Sequence, residues 1–309
     1  MKSDTGPGKR LVTRSVKWMA CVLLCGVGLG AVSWSFTISP DKTLQLQITT
    51  SQGTSLVQTD VFLPPVPVGQ KQTVKCPTVI LLHGVEGAGR YISTYSQVAR
   101  RLNERGYVVC FVHYFDGVPY EDLWHLDAQG NLDLPLIQQA CVKDAAAWTS
   151  ATVEAVCQIA ALPEVDSQHM ALEGFSLGGY VALDTAAHLA ARPELPQVKA
   201  VVNNWGAKFE HTEIVSSFPP VLFVHGEHDA VVPLADAQQA QQQILAAGRS
   251  ASMWIIPGGK HTDTQADSDQ ATFDFLAQHL TAGHGSSLET LPFTCLVSSH
   301  DGDVWQLVR

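Results

Sequence analysis

Short apolar runs recur along the chain, each separated from the next by a longer helical pattern. The runs are residues 78–82, 107–113, 168–174, 198–203, 220–225 and 251–256, rich in Val, Ile, Leu and Ala. Their length and β-branched content predict strands buried on both faces. Residues 92–105, 136–161, 180–191, 234–247 and 266–281 read as helices, the first stopped by Gly106. Ahead of them, residues 43–63 alternate polar and apolar (Leu44, Leu46, Ile48, then Leu56, Val57, Val61, Leu63) and predict two antiparallel strands at a sheet edge, ended by Pro64-Pro65-Val66-Pro67. Strands alternating with helices give an α/β fold: a mostly parallel central sheet with helices on both faces. Residues 114–135 lack a period but carry Tyr114, Phe115, Tyr120, Trp124 and His125, which suits a loop over a site.

The run at 168–174 ends in Gly174-Phe175-Ser176-Leu177-Gly178-Gly179, with the small-residue helical pattern directly behind it. That is strand, sharp turn, helix, with a serine at the apex. A serine hydroxyl is a weak nucleophile and must be presented to a base and a carbonyl together. A tight turn does this while crowding its neighbours, and Gly174 and Gly178 leave the room. Several other chemistry-bearing residues fall just past strand ends: His83-Gly84 after 78–82, Asp229 after 220–225, His261 after 251–256. In parallel sheets, sites form beyond the carboxyl ends of the strands, so these residues converge on one edge.

A serine nucleophile needs a base, and the base an orienting acid. The order Ser176, Asp229, His261 places one or two strand–helix units between successive members and predicts nucleophile, acid and base. Glu227 and Asp263 compete for the acid, and His83, His225 and His228 for the base, among 12 histidines. His83 has a second reading, as a polar residue holding the loop at its strand end. The oxyanion hole would use the backbone N–H groups of Val85 and Leu177. Glu86, close by, reads as a solvated carboxylate.

Charge changes the picture at the amino terminus. The chain's net charge is −10, yet residues 1–17 carry Lys2, Lys9, Arg10, Arg14 and Lys17 against Asp4 alone, leaving a body of −14. An acidic body excludes a nucleic-acid surface. Residues 18–38 contain no charged residue, long enough for a bilayer-spanning helix, and the basic head puts the N-terminus in the cytoplasm. Two readings stand: a single-pass membrane anchor with the catalytic domain extracytoplasmic, or a signal sequence cleaved near Ser33, releasing a secreted protein. Gly26 and Gly30 form a small-xxx-small pair. The domain plan is thus a basic head at 1–17, an apolar segment at 18–38, an α/β domain at 39–281, and a tail at 282–309. In the tail, Asp301-Gly302 is a hairpin signal. Of seven cysteines none forms a C-x-x-C or a metal-like cluster; Cys110 reads as core, and Cys141 with Cys157 as the favoured disulfide pair.

With these motifs in place, residues 78–87, 106–115, 162–183, 225–233 and 257–261 resemble the dienelactone hydrolase family of α/β-hydrolases, in a serine-nucleophile variant. The resemblance covers residues 43–281. It implies an α/β-hydrolase fold, a small-molecule ester or lactone substrate and an acyl-enzyme, with Ser176, His261 and Asp229 as nucleophile, base and acid. No metal or organic cofactor is implied. The founding members carry a cysteine where Ser176 stands, a glutamate at the position of Gly84, and an arginine soon after the histidine; residues 262–280 contain no Arg or Lys. An ester hydrolase is therefore expected rather than a dienelactone-specific one. A thioesterase, acyltransferase or peptidase would share the same three residues, and a non-catalytic membrane-anchored binding protein is the reading from a different class. Oligomeric state is open.

Overall fold

A computed structural model describes residues 39–50, 53–65, 74–116 and 133–280, together with the two-residue strands at 296–297 and 306–307. The basic head, the apolar segment 18–38, most of the aromatic 114–135 segment and most of the tail lie outside the described residues. Among the described residues no helix is long and apolar enough to cross a membrane.

The chain opens with β1 (Lys42–Thr50) and β2 (Gly53–Phe62), an antiparallel pair. β2 then lies antiparallel to β4 (Val108–Val112), which is parallel to β3 (Cys76–Leu82). On the other side of β3 come β5 (Val165–Phe175), β6 (Ala200–Asn204), β7 (Val221–Gly226) and β8 (Ala251–Ile256), all parallel. The short β9 (Leu296–Val297) and β10 (Gln306–Leu307) pair antiparallel at the far edge beside β8. The full order is β1-β2-β4-β3-β5-β6-β7-β8-β9-β10.

Alternation within the strands builds two apolar layers. In β3, Ile80 and Leu82 face one layer with Trp148, Val181 and Ile244, while Val79 and Leu81 face the other with Ala99, Leu102 and Leu276. The first layer is covered by α3 (Leu134–Ala160), α4 (Leu177–Ala190) and α5 (Leu234–Ala246), the second by α2 (Ile92–Asn103) and α6 (Ala266–Leu280). A single turn, α1 (Gly87–Arg90), precedes α2. Local chemistry sets the ends of α3: the Asp133 side chain accepts a hydrogen bond from the Leu136 amide at 3.1 Å, and Pro135 sits in the first turn.

Topology fixes the place for chemistry. From β3 the chain crosses to β4 in one direction, then α3 returns it to β5 on the opposite side of β3, and the remaining parallel strands continue that way. The reversal lies between β3 and β5, and a crevice opens beyond the carboxyl ends of the strands there.

One expectation is overturned. Cys110, Cys141 and Cys157 are free thiols. Cys141 and Cys157 lie on the single helix α3, sixteen residues apart, hence about 24 Å at 1.5 Å per residue, far beyond disulfide reach. Burial pushes the Cys110 thiol up to about 12 and the Cys141 thiol up to about 11, which leaves both inert as nucleophiles.

Candidate active site

The turn after β5 carries Ser176 at φ 53, ψ −118, a backbone conformation uncommon for a residue with a side chain. Neighbouring close approaches hold it. A methyl group on Gly174 would overlap the Gly178 carbonyl, and one on Gly178 would overlap the carbonyls of Leu82 and His83 at the end of β3. The Ser176 amide donates to the Asn204 carbonyl at 2.7 Å, tying the turn to the end of β6.

His261, past the end of β8, brings Nε2 to 3.0 Å from Ser176 Oγ and Nδ1 to 2.7 Å from Asp229 Oδ2. A carboxylate only accepts, so Nδ1 carries the proton and Nε2 is left to accept the serine O–H. Asp229 follows β7 and its side chain is fully buried. Its Oδ1 accepts from the amides of Val231 and Val232 at 2.9 and 3.0 Å, and His225 Nε2 stands 3.3 Å from Oδ2. Burial opposes ionisation of Asp229, but the hydrogen bonds from His225 and His261 outweigh it and hold the carboxyl well below its usual range.

The competing residues have other work. Glu227 accepts the Gly258 amide and Asp263 the Lys260 amide, each at 2.8 Å, so both tie the histidine loop. His225 Nε2 also donates to the Val232 carbonyl at 2.8 Å. His228 is exposed. His83 is completely buried and stacked on Tyr114 at 4.1 Å, its Nδ1 2.8 Å from the Gly84 carbonyl; burial lowers its pKa to about 3, so it stays neutral.

Val85 and Leu177 come from the two loops that flank the β3/β5 reversal. Leu177 is the first residue of α4, so its amide has no intrahelical acceptor. Glu86 differs from the solvated carboxylate expected. Its side chain accepts from the Tyr95 hydroxyl and from the Gly84 amide, which pins the loop carrying Val85.

Several residues that line the site lie outside the motifs of the sequence. Trp205, directly after β6, sits at φ 54 and donates its indole N–H to the Asp263 carbonyl at 3.1 Å. Thr262 sits at φ 68, so three non-glycine residues with positive φ cluster here. A cavity of about 730 Å³ opens from Ser176 and His261 between α2 and α6, reaching Glu173, Arg101 and Asp269. Glu173 could have been noticed: it is the one charge in the apolar run Met170-Ala171-Leu172-Glu173. Trp205 left no signal, because its backbone angle depends on the packing around it. Among the described residues no group of His, Cys, Asp and Glu could hold a metal ion.

This sheet order, with the strained serine turn between β5 and α4, is α/β-hydrolase architecture. The chain belongs to the dienelactone hydrolase family, whose pattern it matches over residues 65–280, and it is a carboxylic ester hydrolase. Solved structures share its fold at low identity. Esterase PE8 is 23% identical with a TM-score of 0.52, over 71% of this chain and 99% of that one. A dienelactone hydrolase-like promiscuous phosphotriesterase from metagenomic libraries is 17% identical with a TM-score of 0.58, over 78% and 99%. Thermogutta terrifontis esterase 2, in a structure phosphorylated by paraoxon, is 17% identical with a TM-score of 0.54, over 77% and 93%. No curated protein matches the sequence.

Proposed function

We propose that this protein is a serine hydrolase that cleaves a small ester or lactone through an acyl-enzyme, with Ser176 as nucleophile, His261 as base and Asp229 as orienting acid. The observation that carries this reading is the Ser176–His261–Asp229 chain of contacts, at 3.0 and 2.7 Å, on a serine held at positive φ. Ser176 Oγ attacks the acyl carbonyl as His261 Nε2 takes its proton. Asp229 keeps the proton on Nδ1 and stabilises the imidazolium. The Val85 and Leu177 amides receive the oxyanion, and as the carbonyl re-forms His261 returns the proton to the departing alkoxide. Water, deprotonated by His261, then attacks the acyl-enzyme, and as the acyl–Oγ bond breaks His261 returns that proton to Ser176 and the acid is released. Ser176→Ala should lower kcat on a short p-nitrophenyl ester by on the order of 10⁴–10⁶-fold. Hydrolysis at the wild-type rate by the purified variant would refute the assignment.

A membrane tether belongs to the same proposal: residues 18–38 hold the hydrolase at a membrane, N-terminus inward. Its support is the uncharged stretch behind a +4 head. Membrane fractionation with amino-terminal sequencing tests it. Intact chain in the membrane pellet is expected, and a mature terminus near Ser33 would contradict it.

A further inference from the structure

Resting on that reaction, we infer that the cleft carries a second polar subsite, built from Glu173, Arg101 and Asp269, which takes a hydroxyl group at the distal end of the substrate. Glu173 lies on the face of β5 that packs beneath α2 and α6, on the same side as Ala171 and Phe175. A buried carboxylate is unfavourable unless its oxygens are satisfied. Only half of that happens: Oε1 accepts from Asn204 Nδ2 at 3.1 Å, while Oε2, equally buried, finds no hydrogen-bond partner among the described residues. Facing it, Arg101 of α2 donates through one terminal nitrogen to Asp269 of α6, and its buried Nε also lacks a partner. Both residues line the cavity that holds Ser176 and His261. Two residues of the far wall thus each keep a buried polar atom unused, an acceptor on Glu173 and a donor on Arg101.

A hydroxyl is the smallest group that answers both, donating to Glu173 and accepting from Arg101. Other termini fit worse. A carboxylate only accepts and would leave Glu173 Oε2 without a donor; an ammonium only donates and would leave the Arg101 Nε–H without an acceptor. Burial pushes the Glu173 carboxyl up to about 7, against the opposing pull of Asn204 and Arg101, so near neutrality a fraction of molecules carries a Glu173 proton that can itself donate to a hydroxyl oxygen. Between the two ends the cavity wall is aromatic, with Tyr95, Phe175, Trp205 and Phe273. Glu173 precedes Ser176 by three residues along the end of β5 and its turn, at most about 10 Å. The substrate class that results is an ester with an apolar arm of that length ending in a hydroxyl.

The test compares p-nitrophenyl ω-hydroxyoctanoate with p-nitrophenyl octanoate, and ω-hydroxyoctyl acetate with octyl acetate, because either side of the ester could occupy the arm. Wild-type kcat/KM should favour the hydroxyl compound by about tenfold or more in one series, since a buried polar site rejects a partner that leaves it unpaired. Amino- and carboxy-terminated analogues should fall below the hydroxyl one. Glu173→Leu should flatten or reverse the preference, and Arg101→Met, on a half-exposed side chain, should weaken it should the first variant not fold. Calorimetry on Ser176→Ala with methyl ω-hydroxyoctanoate against methyl octanoate reads the same preference without turnover. Equal rates in both series, equal binding, a preference for the ammonium, or a preference untouched by both variants would overturn the subsite. Catalysis without the preference would overturn the subsite alone. Preference in binding, with Ser176→Ala as fast as wild type, would overturn the proposed reaction and leave the subsite standing.

Discussion

At the scale of single residues, the site depends on groups that hold other groups. Asp229 keeps His261 in the tautomer that leaves Nε2 free, so Asp229→Asn, which can donate where the aspartate accepts, should lower kcat by about 10⁴-fold with the fold intact. A rate within tenfold of wild type would show that the tautomer is set elsewhere. Trp205 acts one step further back: its indole N–H fixes the Asp263 carbonyl, two residues past His261. Trp205→Phe keeps the ring and removes that donor. The expected result is a fall in kcat of roughly tenfold or more with little change in KM, since small misplacements of a base are costly. A change confined to KM would instead assign Trp205 to substrate contact.

The elements were largely legible in the sequence, because period-two alternation and unbroken apolar runs report burial directly. The strands at 78–82, 107–113 and 251–256 are β3, β4 and β8 to within two residues. The Ser176, Asp229 and His261 positions were legible too, each lying just past a predicted strand end. What the pattern could not carry is anything that depends on two elements meeting. Glu86 read as solvated because its partner, Tyr95, comes from α2; Arg101 and Asp269 are ordinary surface types until α2 and α6 pack together. The Cys141–Cys157 pairing failed for the opposite reason: both residues fall in one helix, whose rise alone separates them. The glycines show how tightly the elements meet. Gly178→Ala would drive a methyl group into the Leu82 and His83 carbonyls, and it should destabilise the protein by roughly 1–3 kcal/mol while shifting the start of α4, which carries the Leu177 amide. Chemical denaturation checks the first part; a variant as stable as wild type would mean that α4 can slide away from β3 freely.

For the whole molecule, two buried groups set opposing pH dependences. His83 has its pKa lowered from 6.5 to about 3. Its folded form resists protonation, so its contribution is complete above pH 6.5 and is lost as pH falls toward 3. Glu173 has its pKa raised from 4.5 to about 7. Its contribution is complete below pH 4.5 and is lost as pH rises to 7. Each slope is ~1.4 kcal/mol per pH unit for one group. Between pH 4.5 and 6.5 the two nearly cancel, which leaves the wild type only the shallow rise added by His279, whose pKa burial also lowers. Glu173→Gln removes one slope, so the variant should gain stability as pH rises across that window. A profile in the variant no steeper than that of the wild type would show that the two groups do not titrate against each other. Below pH 4 the depressed carboxyls of Asp60 and Asp229 add a further loss as they protonate.

If Ser176 is an activated nucleophile, a fluorophosphonate probe should mark it, and mass spectrometry should locate the label. Such a probe forms a bond only with a serine whose proton a neighbouring base can take. Stoichiometric label is expected on the peptide containing Ser176, with none on Ser176→Ala and slow labelling of His261→Ala. Well-folded wild-type protein that takes up no label, or carries it on another serine, would contradict that expectation.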